Sequence, residues 1–280
     1  MTARLPIGVT LGPIGVDAAW WLRSARRLDD AGYAALWTWD HFVSKGRDRT
    51  TPVLEAWTLL AAAAPVTRRA RLGTFVLNVM NRHPAVLARM AATLQQVSGG
   101  RLRIGIGIGG HQAEHAAYGV PFPEPPERAA RLEEAIGVLR ALWSGGPVDL
   151  DGRFYPLHDA HAYPRPEPAP PILVGARTPA GVRLAARIGD GWAAEVDAFA
   201  ALAPRYLEAL AAAGRERAGQ LVAVGFGGGR SGEDALRDSP WVERPADELA
   251  RWRSAGADEV TVTARTTADV DALVEAAGRW

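Results

Sequence analysis

Side chains capable of chemistry gather at a few points along this 280-residue chain. The first is Trp37-Thr38-Trp39-Asp40-His41-Phe42, where a carboxylate and an imidazole adjoin at the end of an apolar run. Such a pair can exchange a proton with a ligand, or simply cap a turn beside a half-buried structural histidine. The second is Asn78 and Arg82, polar groups beyond another apolar run, followed by His83-Pro84, which reads as a helix cap. The third, Gly105-Ile106-Gly107-Ile108-Gly109-Gly110-His111, formally matches the dinucleotide pattern G-x-G-x-x-G. The helix after it is short, and Pro121, Pro123, Pro125 and Pro126 interrupt what should be a compact βαβ unit, so a Rossmann reading fails on context. The need for glycine survives, because glycine lets a flat ring or a phosphate approach the backbone. His111 and His115, four residues apart with Glu114 between them, have the spacing of a metal pair, but the signal is weak and no metal is expected.

A fourth cluster is Gly175-Ala176-Arg177-Thr178-Pro179. Small residues and an arginine just before a helix start can offer N–H groups and a guanidinium to one phosphate; the plain alternative is an ordinary turn with a surface arginine. Gly225 to Arg230, glycine-rich and cationic, reads as a lid edge or a loop.

These clusters need a scaffold that brings strand ends together. Short β-rich runs at residues 7–11, 35–39, 72–79, 102–107, 172–175, 191–194, 221–226 and 259–264 alternate with helical spacings such as Ala18, Leu22, Ala25, Leu28 and Leu132, Ala135, Ile136, Leu139, Trp143. Eight parallel strands with crossover helices predict an α/β fold, a (β/α)8 TIM barrel, occupying residues 1–280 as a single domain. The long link between strands four and five holds a predicted β-hairpin, residues 148–155 around Asp151-Gly152, then a proline-rich extended return through Pro164 to Pro171. In such a barrel the active site lies at the C-terminal strand ends, where all four clusters fall.

Composition narrows the chemistry. Thirty-two basic against 31 acidic residues leave a net charge of +1, spread without long runs, which disfavours nucleic acid as a partner. With no cysteine there is no thiol nucleophile, disulfide or iron–sulfur ligand. No apolar run is long enough to cross a membrane, so a cytoplasmic protein acting on a small molecule is expected. Lys45, the one lysine, lacks the glycine-rich context of a P-loop.

With these strand ends in place, the chain resembles the luciferase-like monooxygenase superfamily and, within it, the coenzyme F420-dependent oxidoreductases. The resemblance runs to about Trp192. It is carried by residues 36–42, 72–77 with Arg82-His83-Pro84-Ala85, 91–95, Ser98 to Leu102 with the glycines to Gly109, Glu114-His115 with Tyr118-Gly119, Arg131 to Glu134, Asp151 to Tyr155, and Ala185-Ala186-Arg187 with Asp190-Gly191-Trp192. The resemblance implies that Asp40 and His41 face a redox ring, with His41 as acid/base. Phe75-Val76 would form a non-prolyl cis peptide behind the ring. Asn78 and Gly107, Ile108, Gly109 and Gly110 would line the ring and its ribityl chain, and Gly175, Ala176 and Arg177 its phosphate. Ala176 stands where the family usually has glycine; its backbone donors are expected to remain intact. Where the F420-dependent sugar-phosphate dehydrogenases carry a glutamate acid/base, this chain has Gly110, and their tryptophan near Lys45 is missing, so sugar-phosphate oxidation is not assigned. The implied activity is hydride transfer between F420 and an unidentified small organic substrate, by a homodimer. An FMN-dependent monooxygenase of the same fold and a non-catalytic flavin- or deazaflavin-binding protein are the alternatives.

Overall fold

A computed structural model describes residues 5–44, 48–226 and 236–279. Its strands are β1 (Leu5–Leu11), β2 (Tyr33–Thr38), β3 (Arg71–Asn78), β4 (Leu102–Gly107), β5 (Val148–Leu150), β6 (Leu157–Ala160), β7 (Ile172–Gly175), β8 (Gly191–Glu195), β9 (Leu221–Phe226) and β10 (Glu259–Ala264). Helices α1 (Ala18–Ala31), α2 (Ala56–Val66) and α3 (Pro84–Val97) link the first strands. Then come α4 (Gln112–Tyr118), α5 (Pro125–Ser144), α6 (Pro179–Ile188), α7 (Val196–Ala212), α8 (Pro240–Glu243), α9 (Pro245–Ser254) and α10 (Thr267–Ala276). The closed barrel runs β1-β10-β9-β8-β7-β4-β3-β2, every pairing parallel, as the sequence predicts. Among the described residues, no helix is long and apolar enough to cross a membrane.

Local chemistry explains why the elements stop where they do. Gly32 ends α1 in the left-handed region at φ 99°, and the His83 and Thr178 side chains accept the N–H groups of Ala85 and Gly181 at the starts of α3 and α6. On α5, Leu132, Ala135, Ile136, Leu139 and Trp143 are all buried, as their spacing predicts. On α1 the buried apolar face is Trp21, Ala25 and Leu28; Ala18 is exposed and Leu22 only half-buried.

The barrel interior is filled. Trp37 lies across it between Gly8 and Gly73, where an added Cβ would come within 2.8 and 2.5 Å of the indole. Its Nε1–H donates to Glu259 at 3.1 Å, and Glu259 is ion-paired with Arg103. Phe75 packs edge-on against Trp37, with ring centroids 5.7 Å apart. The Phe75-Val76 peptide is cis, and the β3–β4 register shifts between Thr74 and Leu77.

The β4–β7 link departs from expectation in two places. β5 pairs with β6 at Val148↔Ala160 and Leu150↔Leu157, so the hairpin's second strand starts beyond residue 155. The Glu134 carboxylate accepts the backbone N–H groups of Phe154 and Tyr155, at 2.9 and 2.6 Å, and wraps the connection onto α5 instead of letting it pair as a tight Asp-Gly hairpin. The proline-rich return is not one extended rod, since the peptides before Pro164 and Pro168 are cis. It is tied down where Gln95 donates to the Pro168 carbonyl.

Candidate active site

A cavity of about 1550 Å³ opens at the C-terminal ends of β2, β3, β4 and β7 and continues along α5, α6 and the end of α7. Asp40 and His41 border it from β2, Phe75, Val76 and Asn78 from β3, Gly107, Ile108, Gly109 and Gly110 from β4, and Gly175, Ala176 and Arg177 from β7. These residues therefore border one cavity, whose lining does not include Arg82, His111 or His115. Lys45 and Gly227 to Arg230 fall outside the described residues.

Asp40 is buried, with its carboxylate turned away from a solvated role. It forms a two-pronged pair with Arg82 (2.8 and 2.9 Å) and accepts the backbone N–H of Asn78 and the side-chain amide of Asn81, each at 3.0 Å. Arg82 also pairs with Glu55. Burial alone would weaken the Arg82 charge; the Asp40 and Glu55 carboxylates outweigh it and raise the guanidinium pKa. Asp40 thus ties the end of β2 to the segment after β3 and fixes Asn78.

His41 is held from the other side. Its Nδ1 lies 3.1 Å from Oε1 of Glu114, whose Oε2 accepts the Phe42 backbone N–H at 3.1 Å. Glu114 comes from α4 and its side chain is 1% exposed. Burial would push this carboxyl up, but the His41 hydrogen bond and charge, the Phe42 N–H and His111 prevail and lower its pKa. A carboxylate that accepts Nδ1–H places the neutral ring's lone pair on Nε2.

His115 does not share a metal-ligating face with His111. It is fully buried between Phe122 (centroids 4.3 Å apart) and Phe42 (5.7 Å), and its Nε2 lies 2.7 Å from the Asn78 amide nitrogen. The Asn78 Oδ1 accepts the Met80 N–H, so the amide donates to His115. Burial depresses the His115 pKa, in keeping with an imidazole nitrogen that accepts the Asn78 amide.

The glycines act differently from one another. Gly107 and Gly175 make room for Val76, whose methyl carbons lie 3.2 and 2.9 Å from where their Cβ atoms would stand. Gly109 has φ +74° and packs on Asn78, whereas a Cβ on Gly110 would meet nothing within 4 Å. At the β7 turn, Ala176 departs from the expectation of intact donors. Its N–H is directed at the Ala193 carbonyl, 3.3 Å away, and its own carbonyl accepts from Trp192. Among the described residues the N–H groups of Arg177, Thr178 and Ala180 have no partner in the chain. Arg177 is more than half exposed and pairs with Glu195 and Asp197, both at 3.2 Å. Arg82 and Glu114 are the site residues whose roles sequence reasoning missed; the signal for Glu114 was its place three residues after His111 on the helix following the glycines.

The sequence profile described as luciferase-like monooxygenase matches residues 7–229. The F420-dependent glucose-6-phosphate dehydrogenase of Beutenbergia cavernae is 39% identical over 166 residues, 59% of this chain and 48% of that protein. An uncharacterized protein of Mycobacterium tuberculosis is 34% identical over 236 residues, 81% of this chain and 76% of its own. Among solved structures, an F420-dependent secondary alcohol dehydrogenase in complex with an F420-acetone adduct superposes with a TM-score of 0.82 at 22% identity, over 97% of this chain and 96% of that one, a likeness of fold. The chain spans about half the length of the F420-dependent dehydrogenases it matches.

Proposed function

The chain belongs to the luciferase-like monooxygenase family, and from that premise we propose that it is a coenzyme F420-dependent oxidoreductase. The observation that carries this reading is His41, set by a buried carboxylate on the wall of a glycine-lined cavity at the barrel mouth. The Trp39-Asp40-His41 ending of β2 favours the deazaflavin over FMN, and the F420-dependent relatives support the same choice.

The residues present fit such a cofactor. The cavity exceeds the roughly 300–1,000 Å³ of a single small-molecule site because it continues from the strand ends along α5, α6 and α7, a length that suits a ring with an extended tail. Val76, backed by Gly107 and Gly175, gives the ring a smooth apolar wall, and the open space at Gly110 leaves the opposite approach unobstructed. The N–H groups of Arg177, Thr178 and Ala180, at the positive end of α6, suit an anionic tail, and Arg177 can exchange its exposed carboxylate partners for a phosphate at little cost.

When bound, F420 supplies a hydride donor or acceptor at ring carbon C5. The chain's own part is positional and protonic. Glu114 holds His41 in one tautomer, and His41 Nε2 exchanges the proton that accompanies hydride transfer to or from an organic substrate. Asp40, through Arg82 and Asn78, keeps the two strand ends in register. Sugar-phosphate oxidation is not part of the proposal, because Gly110 supplies no acid/base.

Fluorescence titration of the purified chain against F420 and FMN tests the reading. Saturable one-to-one binding of F420 without comparable FMN binding is expected; tight FMN binding without F420 binding overturns it in favour of the FMN-dependent alternative. Stoichiometric F420 binding with no reduction or oxidation across a broad substrate panel leaves a non-catalytic binder.

A further inference from the structure

His41 and Glu114, which line the cavity, have a third group beside them. His111 Nδ1 lies 3.4 Å from Glu114 Oε2, and one ligand atom from each of His41, His111 and Glu114 lies within 4.8 Å of the other two. We propose that these three side chains form a site for a zinc-class divalent transition metal, which shuts the enzyme off by capturing His41.

Three observations carry this. The first is spacing: donors bonded to a tetrahedral zinc at about 2.0–2.1 Å stand roughly 3.3 Å apart. The His41–Glu114 and His111–Glu114 separations, 3.1 and 3.4 Å, already match. The two imidazoles, crossed at 84° with centroids 6.1 Å apart, close the third edge by rotating about their side-chain bonds. The second is the state of His111. It stands at the N-terminal cap of α4, yet its side chain caps nothing. Its Nδ1 is buried and makes no well-formed hydrogen bond among the described residues, with only the long 3.4 Å approach of Glu114 Oε2. A buried polar atom left unsatisfied calls for a physical reason, and a ligand role supplies one. The third is support behind the ligands: the Phe42 N–H fixes the Glu114 carboxylate, as outer groups commonly do at metal centres.

Two imidazoles and one carboxylate favour Zn²⁺, Co²⁺ or Ni²⁺ over the oxygen-preferring Mg²⁺ and Ca²⁺. Three protein ligands leave a fourth position for water or an anion. Metal binding takes the lone pair of His41 Nδ1, so the single proton of the neutral ring moves through solvent to Nε2, which loses its acceptor lone pair, and the hydrogen bond to Glu114 ends. No electron moves, and a chelator restores the ring. The inhibition rests on the role proposed for His41; the binding does not.

The test is calorimetric titration of the chelator-treated full chain with ZnCl₂, with CoCl₂ absorption as a geometric readout and F420 titration in parallel. One equivalent of zinc is expected, with the visible absorption of four-coordinate cobalt and no response to MgCl₂. His111→Gln should weaken zinc affinity at least tenfold while F420 affinity holds. Absence of saturable binding, or wild-type zinc affinity in His111→Gln with the fold intact by circular dichroism, overturns the site. Zinc binding without inhibition of an active enzyme overturns the shut-off while leaving the ligand set. Failure of F420 binding in the parallel titration counts against the proposed function alone.

Discussion

Glu114 meets His41 Nδ1 at 3.1 Å with one carboxylate oxygen and accepts the Phe42 N–H with the other, so a single buried group fixes both a side chain and the backbone beside it. A glutamine reverses the tautomer, because with its one oxygen on the Phe42 N–H its amide donates to His41 Nδ1 and leaves the ring proton on Nε2. Glu114→Gln should lower turnover at least about tenfold with F420 affinity within a few-fold of wild type. Unchanged kcat would reduce Glu114 to a structural residue.

Replacing His41 by alanine removes the proton-exchanging group without touching the cavity wall formed by Val76 and Gly110. Turnover should fall by about 10² to 10⁴, with little change in the F420 dissociation constant. The measurement is kcat beside a fluorescence titration. Comparable loss in both would assign His41 to cofactor binding.

Asp40 and Glu55 share Arg82 unequally. The Asp40 side chain is 4% exposed and Glu55 49%. Asp40→Asn leaves a mostly buried guanidinium short of its main partner and should cost about 2–3 kcal/mol in urea unfolding. Glu55→Gln should cost under about 1 kcal/mol. Equal losses would mean that the clamp is shared evenly.

Glu55 also sets an acid limit. Its burial opposes ionisation, but the Thr58 hydroxyl, the N–H groups of Thr58 and Trp57 at the start of α2 and the Arg82 charge lower its pKa below the ordinary 4.5. The unfolded chain therefore takes up this proton at higher pH than the folded one. The stabilisation is full above about pH 4.5 and is lost as pH falls through the lowered value. The difference in Tm between wild type and Glu55→Gln should shrink toward zero on acidification; a difference that grows would reverse the sign.

Two neighbouring glycines should respond in opposite ways. Gly109→Ala forces a side chain onto φ +74° and into Asn78, 2.5 Å from the added carbon, and should destabilise by at least about 1 kcal/mol. Gly110→Glu meets open space and should fold with nearly unchanged Tm, placing a carboxylate in the cavity. A strong loss of stability in Gly110→Glu would show the rim to be more crowded than the geometry gives.

The barrel was legible because each strand is a short apolar run between helical spacings, and strand termini alone place Asp40, Asn78, Gly107 and Gly175 on one rim. What holds those residues was not legible. The Glu114–His41 and Arg82–Asp40 contacts join residues 73 and 42 positions apart, and no local pattern marks such pairs. The donors of Ala176 were misjudged because the demand of the Ala193 carbonyl exists only once β7 and β8 align. The hairpin was misplaced because Glu134, on a distant helix, takes the amides that the Asp-Gly turn would have needed.

The indole of Trp37, wedged between Gly8 and Gly73 and braced by Glu259, leaves no spare room across the barrel interior. A larger residue at either glycine would have to displace that indole, and with it Phe75 and the Glu259–Arg103 pair, so the middle of the barrel and the cavity wall can change only together.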